Sequence, residues 1–168
     1  MKPKDQMPSL ELPLINDARY KLEEQNPDKY SLLIFYRGLH CPVCKKQLSN
    51  IQDHLDKLVD RGINLVAISM DNEERAKKAG NEWDVTSLPI AYDLSEEKAR
   101  EFGLFISTGI SDKEPDTFSE PGMFLVDKDN KLFFSSVQSM PFARPSIEDI
   151  INAVDFIEEN GYPPRGTK

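Results

Sequence analysis

The sequence predicts an α/β fold, and three features carry that prediction. From residue 31 onward, apolar segments with the length of buried strands alternate with segments of helical periodicity. Residues 31–69 read as strand, helix and strand, a unit that places its two strands in parallel with a right-handed crossover. A chain of 168 residues with 39% hydrophobic residues supports one sizeable core. We therefore predict a single domain spanning residues 1–168, with its core at about 10–160.

Two short strands are expected at the amino terminus, at residues 10–15 and 20–22, on either side of a turn at Asn16-Asp17. Asn26-Pro27-Asp28 marks a loop, and the apolar run 31–36 follows it as the first core strand. The amino-terminal strands thus precede the strand–helix–strand unit.

One helix is expected from Pro42 to Gly62, since a proline suits the first helical position and a glycine ends a helix. Its apolar face has helical spacing: Leu48, Ile51, Leu55, Leu58 and Val59. Residues 63–69 read as a buried strand and residues 73–83 as a further helix.

The second half of the chain continues the alternation. The expected elements are a strand at residues 89–93, a helix from Ser95 to Gly103, a long loop at 107–120, a hairpin of strands 123–127 and 131–134, and a last helix that starts at the capping box of Ser146 and Asp149 and ends at Asn160-Gly161.

The most informative motif is Cys41-Pro42-Val43-Cys44, which contains both cysteines of the chain. With Pro42 at the first helical position, Cys41 is the N-cap residue and Cys44 the third helical residue. The N-cap position and the helix dipole favour a thiolate on Cys41. Residues three apart on a helix have Cβ atoms about 5–6 Å apart, which suits a reversible disulfide.

Neighbouring basic residues support a reactive thiol. His40 precedes Cys41, and Lys45 and Lys46 lie in the first helical turn, where positive charge stabilises a thiolate. A redox dithiol at the start of a helix, with Cys41 and Cys44 as catalytic residues, is the favoured interpretation.

Half of a zinc site and a pair of inert buried thiols are the alternatives. A structural zinc site needs four ligands, and the only two histidines, His40 and His54, are not spaced as a second ligand pair. We therefore expect neither a metal nor another cofactor.

Charge and hydropathy restrict the partners and the location. The net charge is −8 and the pI about 4.8, which disfavours nucleic acid and anionic membrane surfaces as partners. The sequence contains no apolar run of signal-peptide or membrane-span length. We expect a cytoplasmic protein, in which the disulfide would be transient and catalytic.

The order of elements and several motifs resemble the thioredoxin superfamily, and more closely its peroxiredoxin-like proteins of the alkyl hydroperoxide reductase and thiol-specific antioxidant group. The residues that carry the resemblance are 35–44 (FYRGLHCPVC), 68–71 (ISMD), 88–93 (LPIAYD) and 121–127 (PGMFLVD). The resemblance implies a thioredoxin-like fold, a central mixed β-sheet flanked by helices, with the dithiol at the carboxyl end of a strand.

The resemblance also implies departures at the site. An ungapped count places the family's peroxide-reacting cysteine on Cys44, its proline on Arg37, its threonine on Cys41 and its arginine on Pro121. Thioredoxins keep a cis-proline where Pro121 lies, so a cis Pro121 facing the dithiol is expected, with a proline that opens an edge strand as the alternative.

Three further residues are candidates around the substrate. Residues 140–144 (MPFAR) resemble the family segment that enters the last helix, which makes Arg144 a candidate cation near the active site; a surface arginine is the alternative. Arg37 is likewise either a thiolate stabiliser or a solvated charge, and His40 lies next to the first thiol.

Three functions follow as hypotheses. The first is a thiol–disulfide oxidoreductase in antioxidant or protein-thiol chemistry, in which Cys41 attacks a disulfide, Cys44 resolves it and a thioredoxin- or glutathione-type reductant returns the electrons. The second is a thiol-dependent peroxidase with Cys44 as the peroxidatic cysteine. The third is a non-catalytic adaptor. The oligomeric state stays open, with a homodimer considered.

Overall fold

The computed structural model describes residues 1–168, and its elements alternate as the sequence predicts. The strands are β1 (Glu11–Pro13), β2 (Arg19–Lys21), β3 (Tyr30–Phe35), β4 (Ile63–Ile68), β5 (Ile90–Ala91), β6 (Ile106–Thr108), β7 (Thr117–Ser119), β8 (Gly122–Asp127) and β9 (Leu132–Val137). The α-helices are α1 (Pro42–Asp53), α2 (Leu55–Asp60), α3 (Glu73–Glu82), α4 (Glu96–Glu101) and α5 (Ile147–Asn160).

The central sheet has five strands in the order β5-β4-β3-β8-β9. β3 pairs in parallel with β4 and antiparallel with β8, so the sheet is mixed, as the family resemblance implies. Every residue of β3 is buried, because the strand lies between β4 and β8 and a core covers each face of the sheet. The predicted strand–helix–strand unit of residues 31–69 is thereby confirmed.

Alternate side chains of β3 enter two separate cores, because successive residues of a strand point to opposite faces. Leu32 and Ile34 pack in the core that contains the buried residues of α1 and α5. Leu33 and Phe35 pack in the core formed with α4 and the amino-terminal strands. Both cysteines belong to the first core. None of the helices is long and apolar enough to cross a membrane.

The ends predicted for the last helix from local signals are confirmed at α5. Ser146 and Asp149 form the reciprocal capping box, and Gly161 ends the helix with φ of 59°. Periodicity missed a break in the predicted helix of residues 42–62, which is divided at His54 into α1 and α2. The His54 ring nitrogen Nδ1 lies 2.8 Å from the Asn50 carbonyl oxygen, and the apolar face continues across the break.

The predicted loop at residues 107–120 is the second difference. It contains an antiparallel hairpin of β6 and β7, in which Ser107 pairs with Phe118. Within residues 107–120 only Phe118, Ser119 and Glu120 are buried. The segment therefore has too little apolar periodicity to be recognised as a pair of strands. The segment supplies four side chains of the site described below: Ser107, Glu114, Phe118 and Glu120.

Candidate active site

Cys41 and Cys44 are joined by a disulfide at the start of α1, with their Cα atoms 5.2 Å apart. Cys41 is the N-cap residue, Pro42 occupies the first helical position, and the Cys44 N–H donates to Cys41 Sγ at 3.1 Å. The predicted N-cap geometry is confirmed. The two residues are only 1% and 0% exposed, so a partner reaches either sulfur only after neighbouring groups move.

The loop between β3 and α1 is held by Asp71, which follows β4. Its carboxylate is buried and accepts hydrogen bonds from the Leu39 N–H at 2.7 Å and from Arg75 Nε at 2.8 Å. The Asp71 side chain is thus part of the site and not a solvated charge. The loop also closes on itself, because the Cys41 N–H donates to the Gly38 carbonyl at 3.1 Å.

Gly38 is required by this arrangement. Its φ is 130°, a conformation that residues with a side chain rarely adopt, and a Cβ there would lie 2.7 Å from Asp71 Oδ1. The loop that presents Cys41 thus combines a glycine turn with a buried carboxylate.

Arg144 covers the disulfide. Its Nη2 lies 3.3 Å from Cys44 Sγ and 3.7 Å from Cys41 Sγ. Its Nε donates to the Pro141 carbonyl at 2.7 Å, and its Nη1 donates to Gln47 Oε1. The placement agrees with a cation at the active site and excludes a free surface arginine.

No carboxylate is ion-paired with Arg144, whose hydrogen-bond acceptors are all uncharged. Burial and, to a lesser extent, the nearby charge of Arg37 lower the pKa of Arg144 to about 10, against the opposite effect of Glu120. A half-buried guanidinium without an anion favours a negative charge beside it, and the adjacent groups that can ionise are the two cysteine sulfurs.

Arg37 lies in a second cluster with the β6–β7 hairpin. Its Nε is 3.1 Å from Glu120 Oε2, Nη2 is 3.7 Å from Glu114 Oε1, and the guanidinium lies over the Phe118 ring at 4.7 Å. Glu120 is buried and also accepts a hydrogen bond from Ser107 Oγ at 2.6 Å. Arg37 is therefore neither solvated nor in contact with a sulfur in the disulfide state, and its charge is balanced by carboxylates.

His40 packs edge-on against Phe118 with ring centroids 4.6 Å apart, and its Nδ1 lies 3.5 Å from Arg75 Nη2. Burial lowers the pKa of His40 below its usual value, and the charges of Arg37 and Arg75 add to this effect. The lowered pKa disfavours the charged ring, which works against the expectation that His40 supplies positive charge to the thiol at neutral pH.

We expect His40 to make the protein less stable in acid. Because its pKa is lowered on folding, the unfolded chain binds a proton first as pH falls below about 6.5, and stability is lost until the folded pKa is passed. Urea unfolding at several pH values between about 5 and 7 should show this loss in the wild type and less of it in His40→Asn. His54→Gln is the control and should retain it; equal pH dependence of His40→Asn and the wild type would contradict the assignment.

The cis-proline expectation is wrong, because the structure contains no cis peptide bond. Pro121 is trans and opens β8, an interior strand of the sheet. Its carbonyl accepts a hydrogen bond from the Gln138 N–H at 3.0 Å. This proline leads from the buried Glu120 into the strand, which is the strand-opening alternative, although the strand is not at an edge.

Sequence reasoning missed Gln47, Asp71 and Glu120. Gln47 lies one turn beyond Cys44 on α1, so helical spacing could have placed it beside the dithiol. Asp71 lies three residues after the end of β4, a buried strand whose carboxyl end is beside the dithiol, which is a usable signal. Glu120 had no local signal, because its partners come from a hairpin that the sequence pattern did not reveal. No cluster of three or more potential metal ligands is present.

Comparison with known proteins decides the family. The model of the AhpC/TSA family matches residues 3–135, which include β1–β8 and the whole dithiol segment. The chain belongs to the AhpC/TSA family. "Putative peroxiredoxin YkuU" of Bacillus subtilis (strain 168) is 21% identical over 155 residues, which cover 87% of this chain and 80% of that protein.

Solved structures share the fold at low sequence identity. Peroxidoxin BcpB from Mycobacterium tuberculosis has a TM-score of 0.72 at 21% identity and covers 95% of this chain and 98% of its own. AhpC of Enterococcus faecalis has a TM-score of 0.76 at 19% identity and covers 96% and 98%. Reduced Prx3 of Vibrio vulnificus, crystallised with H2O2, has a TM-score of 0.77 at 15% identity and covers 92% and 99%.

Family membership and the closed cysteine pair together make this AhpC/TSA protein a thiol-dependent oxidoreductase. Arg144 occupies the place beside the sulfurs that the family resemblance implies. Arg37, Cys41 and Pro121 stand at the family's proline, threonine and arginine positions on the ungapped count. The substrate therefore has to be argued from the residues present.

Proposed function

We propose that the protein is a dithiol thiol–disulfide oxidoreductase. The Cys41 thiolate attacks one sulfur of a substrate disulfide and releases the other as a thiolate. Cys44 then attacks Cys41 Sγ in the mixed disulfide, which releases the second substrate thiol and forms the Cys41–Cys44 disulfide. The substrate gains two electrons, and a thioredoxin- or glutathione-type thiol later returns two electrons to the protein.

One observation carries this proposal: the two sulfurs close a disulfide within the first turn of α1, with Cys41 at the N-cap. Resolution then needs no second subunit and no large movement of the backbone. A cytoplasmic location is part of the proposal, since a reducing compartment would regenerate the dithiol; the acidic charge of −8 is compatible with it. A homodimer stays a prediction.

A peroxidase with Cys44 as the attacking thiol is the second candidate, and one contact favours it. Arg144 Nη2 is closer to Cys44 Sγ, at 3.3 Å, than to Cys41 Sγ, at 3.7 Å. Against it, Arg37, the other cation of the cluster, is directed to carboxylates. A single arginine offers less preorganised charge to a peroxide oxygen than the family arrangement that the sequence has lost.

Two single cysteine variants test the proposal. Cys44→Ser should accumulate a stable mixed disulfide with a disulfide-containing protein, because the resolving thiol is absent. Cys41→Ser should reduce no disulfide. Non-reducing gel electrophoresis followed by mass spectrometry would identify the adduct and its attachment to Cys41.

The same variants distinguish the peroxidase. If Cys44 reacts first, Cys41→Ser should form a sulfenic acid with peroxide, which a dimedone-type probe detects, and Cys44→Ser should be inert. Sulfenylation of Cys41→Ser well above the rate of free cysteine, without a mixed disulfide in Cys44→Ser, would replace our proposal by the peroxidase. Inertness of both variants in both assays would contradict both enzyme mechanisms.

A further inference from the structure

An open groove of about 780 Å³ lies beside the dithiol. Residues 42–53 of α1 form one side, and residues 141–147, which lead into α5, form the other. Arg144 lines this groove and at the same time touches both sulfurs. A molecule in the groove would therefore lie one side chain away from the disulfide.

The groove is positive, although the protein carries a net charge of −8. Lys45 and Lys46 are exposed in its wall and form no ion pair, and Arg144 has no carboxylate partner. Asp53 is the one carboxylate that lines it, two turns beyond Lys45 on α1. Glu148, at the border, is already bonded to Asn50.

Apolar groups complete the wall. Pro42 is exposed at the start of α1, Val43 is half-buried beside it, and Phe142 on the opposite side is 61% exposed. Small-molecule sites commonly enclose about 300–1,000 Å³ and combine apolar walls with a few charged groups. The groove has the size and the composition of such a site, with positive charge as its selective feature.

We propose that this groove binds a low-molecular-weight thiol that carries carboxylates, and that this thiol reduces the Cys41–Cys44 disulfide. The inference rests on the proposed function and names the class of its electron donor. The lysines attract the carboxylates, and a shift of the Arg144 side chain away from Cys41 Sγ, the more distant of the two sulfurs, opens that sulfur to attack while the guanidinium stays beside Cys44.

The chemistry then takes two thiolates. The first attacks Cys41 Sγ, the Cys41–Cys44 bond breaks, and Cys44 leaves as a thiolate beside Arg144, which stabilises it. The second attacks the small thiol's sulfur in the mixed disulfide, which releases a small disulfide and the Cys41 thiolate. The protein gains two electrons, and each thiolate takes a proton from solvent according to its pKa.

A matched pair of reductants tests this inference: N-acetylcysteine, which has a carboxylate, and N-acetylcysteine amide, which has none. The rate of disulfide loss, followed by alkylation and mass spectrometry and expressed per thiolate, should be about tenfold higher for the carboxylate, the low end of electrostatic focusing. The preference should fall at high salt, which screens the lysines.

The double variant Lys45→Gln/Lys46→Gln should lose most of this preference. The ratio of the two rates is the readout, because a general change in disulfide reactivity alters both rates equally. Lys57→Gln/Lys128→Gln removes the same charge from exposed positions outside the groove and should keep the wild-type ratio.

Equal rates for the two reductants in the wild type would overturn the inference. A wild-type ratio of the two rates in Lys45→Gln/Lys46→Gln would also overturn it. The same holds if a dithiol protein reduces the disulfide faster than both small thiols and this double variant does not change that preference. The proposed function is tested separately, by the reduction of a protein disulfide with protein already reduced by dithiothreitol. Failure of that assay, with an intact carboxylate preference, would contradict the function and leave the groove assigned.

Discussion

Arg144→Gln is expected to raise the alkylation pKa of the reduced dithiol by about one unit or more. An opposite charge within about 4–6 Å lowers the pKa of an acid by about 1–3 units, and the guanidinium lies within 3.7 Å of both sulfurs. At a pH below the midpoints of both proteins, the rate of iodoacetamide alkylation should fall about tenfold per unit. The pH dependence of labelling at Cys41 and Cys44, read by mass spectrometry, measures the effect.

The disulfide of this variant should also be harder to reduce. Arg144 has only uncharged acceptors while the sulfurs are joined, and it gains an anionic partner when the disulfide opens to a thiolate. Removal of the Arg144 guanidinium should therefore shift the equilibrium with a thiol–disulfide buffer toward the disulfide. The shift should be about the factor by which the thiolate is destabilised.

Arg144→Lys retains the charge and should keep part of the effect, while Arg165→Gln removes an arginine from the carboxyl-terminal tail and should change neither measurement. A wild-type titration curve in Arg144→Gln would mean that the N-cap position of Cys41 alone activates the dithiol. The contact with the sulfurs would then be structural.

The parts of the site that the sequence predicts are those set by residues close together in the chain. Pro42 and Cys41 define the helix start, and the spacing to Cys44 defines the disulfide, because capping and helical periodicity act within one turn. The capping box at Ser146 is predictable for the same reason, since it joins residues three apart. These features need no knowledge of the tertiary fold.

The surroundings of the dithiol depend on distant segments. Asp71 comes from the end of β4, Glu120 from the hairpin and Arg144 from the segment before α5, and each meets the site only through the sheet order. Family resemblance placed Arg144 correctly and failed at Pro121, which is trans. Arg144 bonds to Gln47 of α1 and contacts both sulfurs, so it lies at the site. Pro121 is trans and leads into β8.

Charge at the site was the least predictable property. The residue type of His40 suggests a cation, but burial and the two flanking arginines lower its pKa and so disfavour the charged ring. Arg37 and Arg144 are both half-buried cations, yet only Arg37 is paired with carboxylates. Which cation faces the sulfurs is determined by these pairings, and no local pattern records them.

Asp71→Ala should destabilise the fold by about 2–4 kcal/mol, the larger stability effect that we expect from a single substitution at the site. The carboxylate is buried, and its loss leaves the Leu39 N–H and the Arg75 guanidinium without their partner. The Arg75 side chain is 30% exposed, so water replaces part of its lost bond, which keeps the loss below that of a fully buried pair. Urea unfolding of the oxidised protein measures it.

Asp71→Asn separates the two roles of this carboxylate. Its side-chain oxygen can still accept from Leu39, whereas the charge that holds Arg75 is gone, so we expect about half of the loss seen for alanine. Asp60→Ala, an exposed aspartate on α2, is the control and should stay within about 0.5 kcal/mol of the wild type. If alanine and asparagine are equally destabilising, the ion pair with Arg75 carries the effect. If alanine matches the control, the loop that presents Cys41 is held by Gly38 and its own backbone bonds, and Asp71 does not position it.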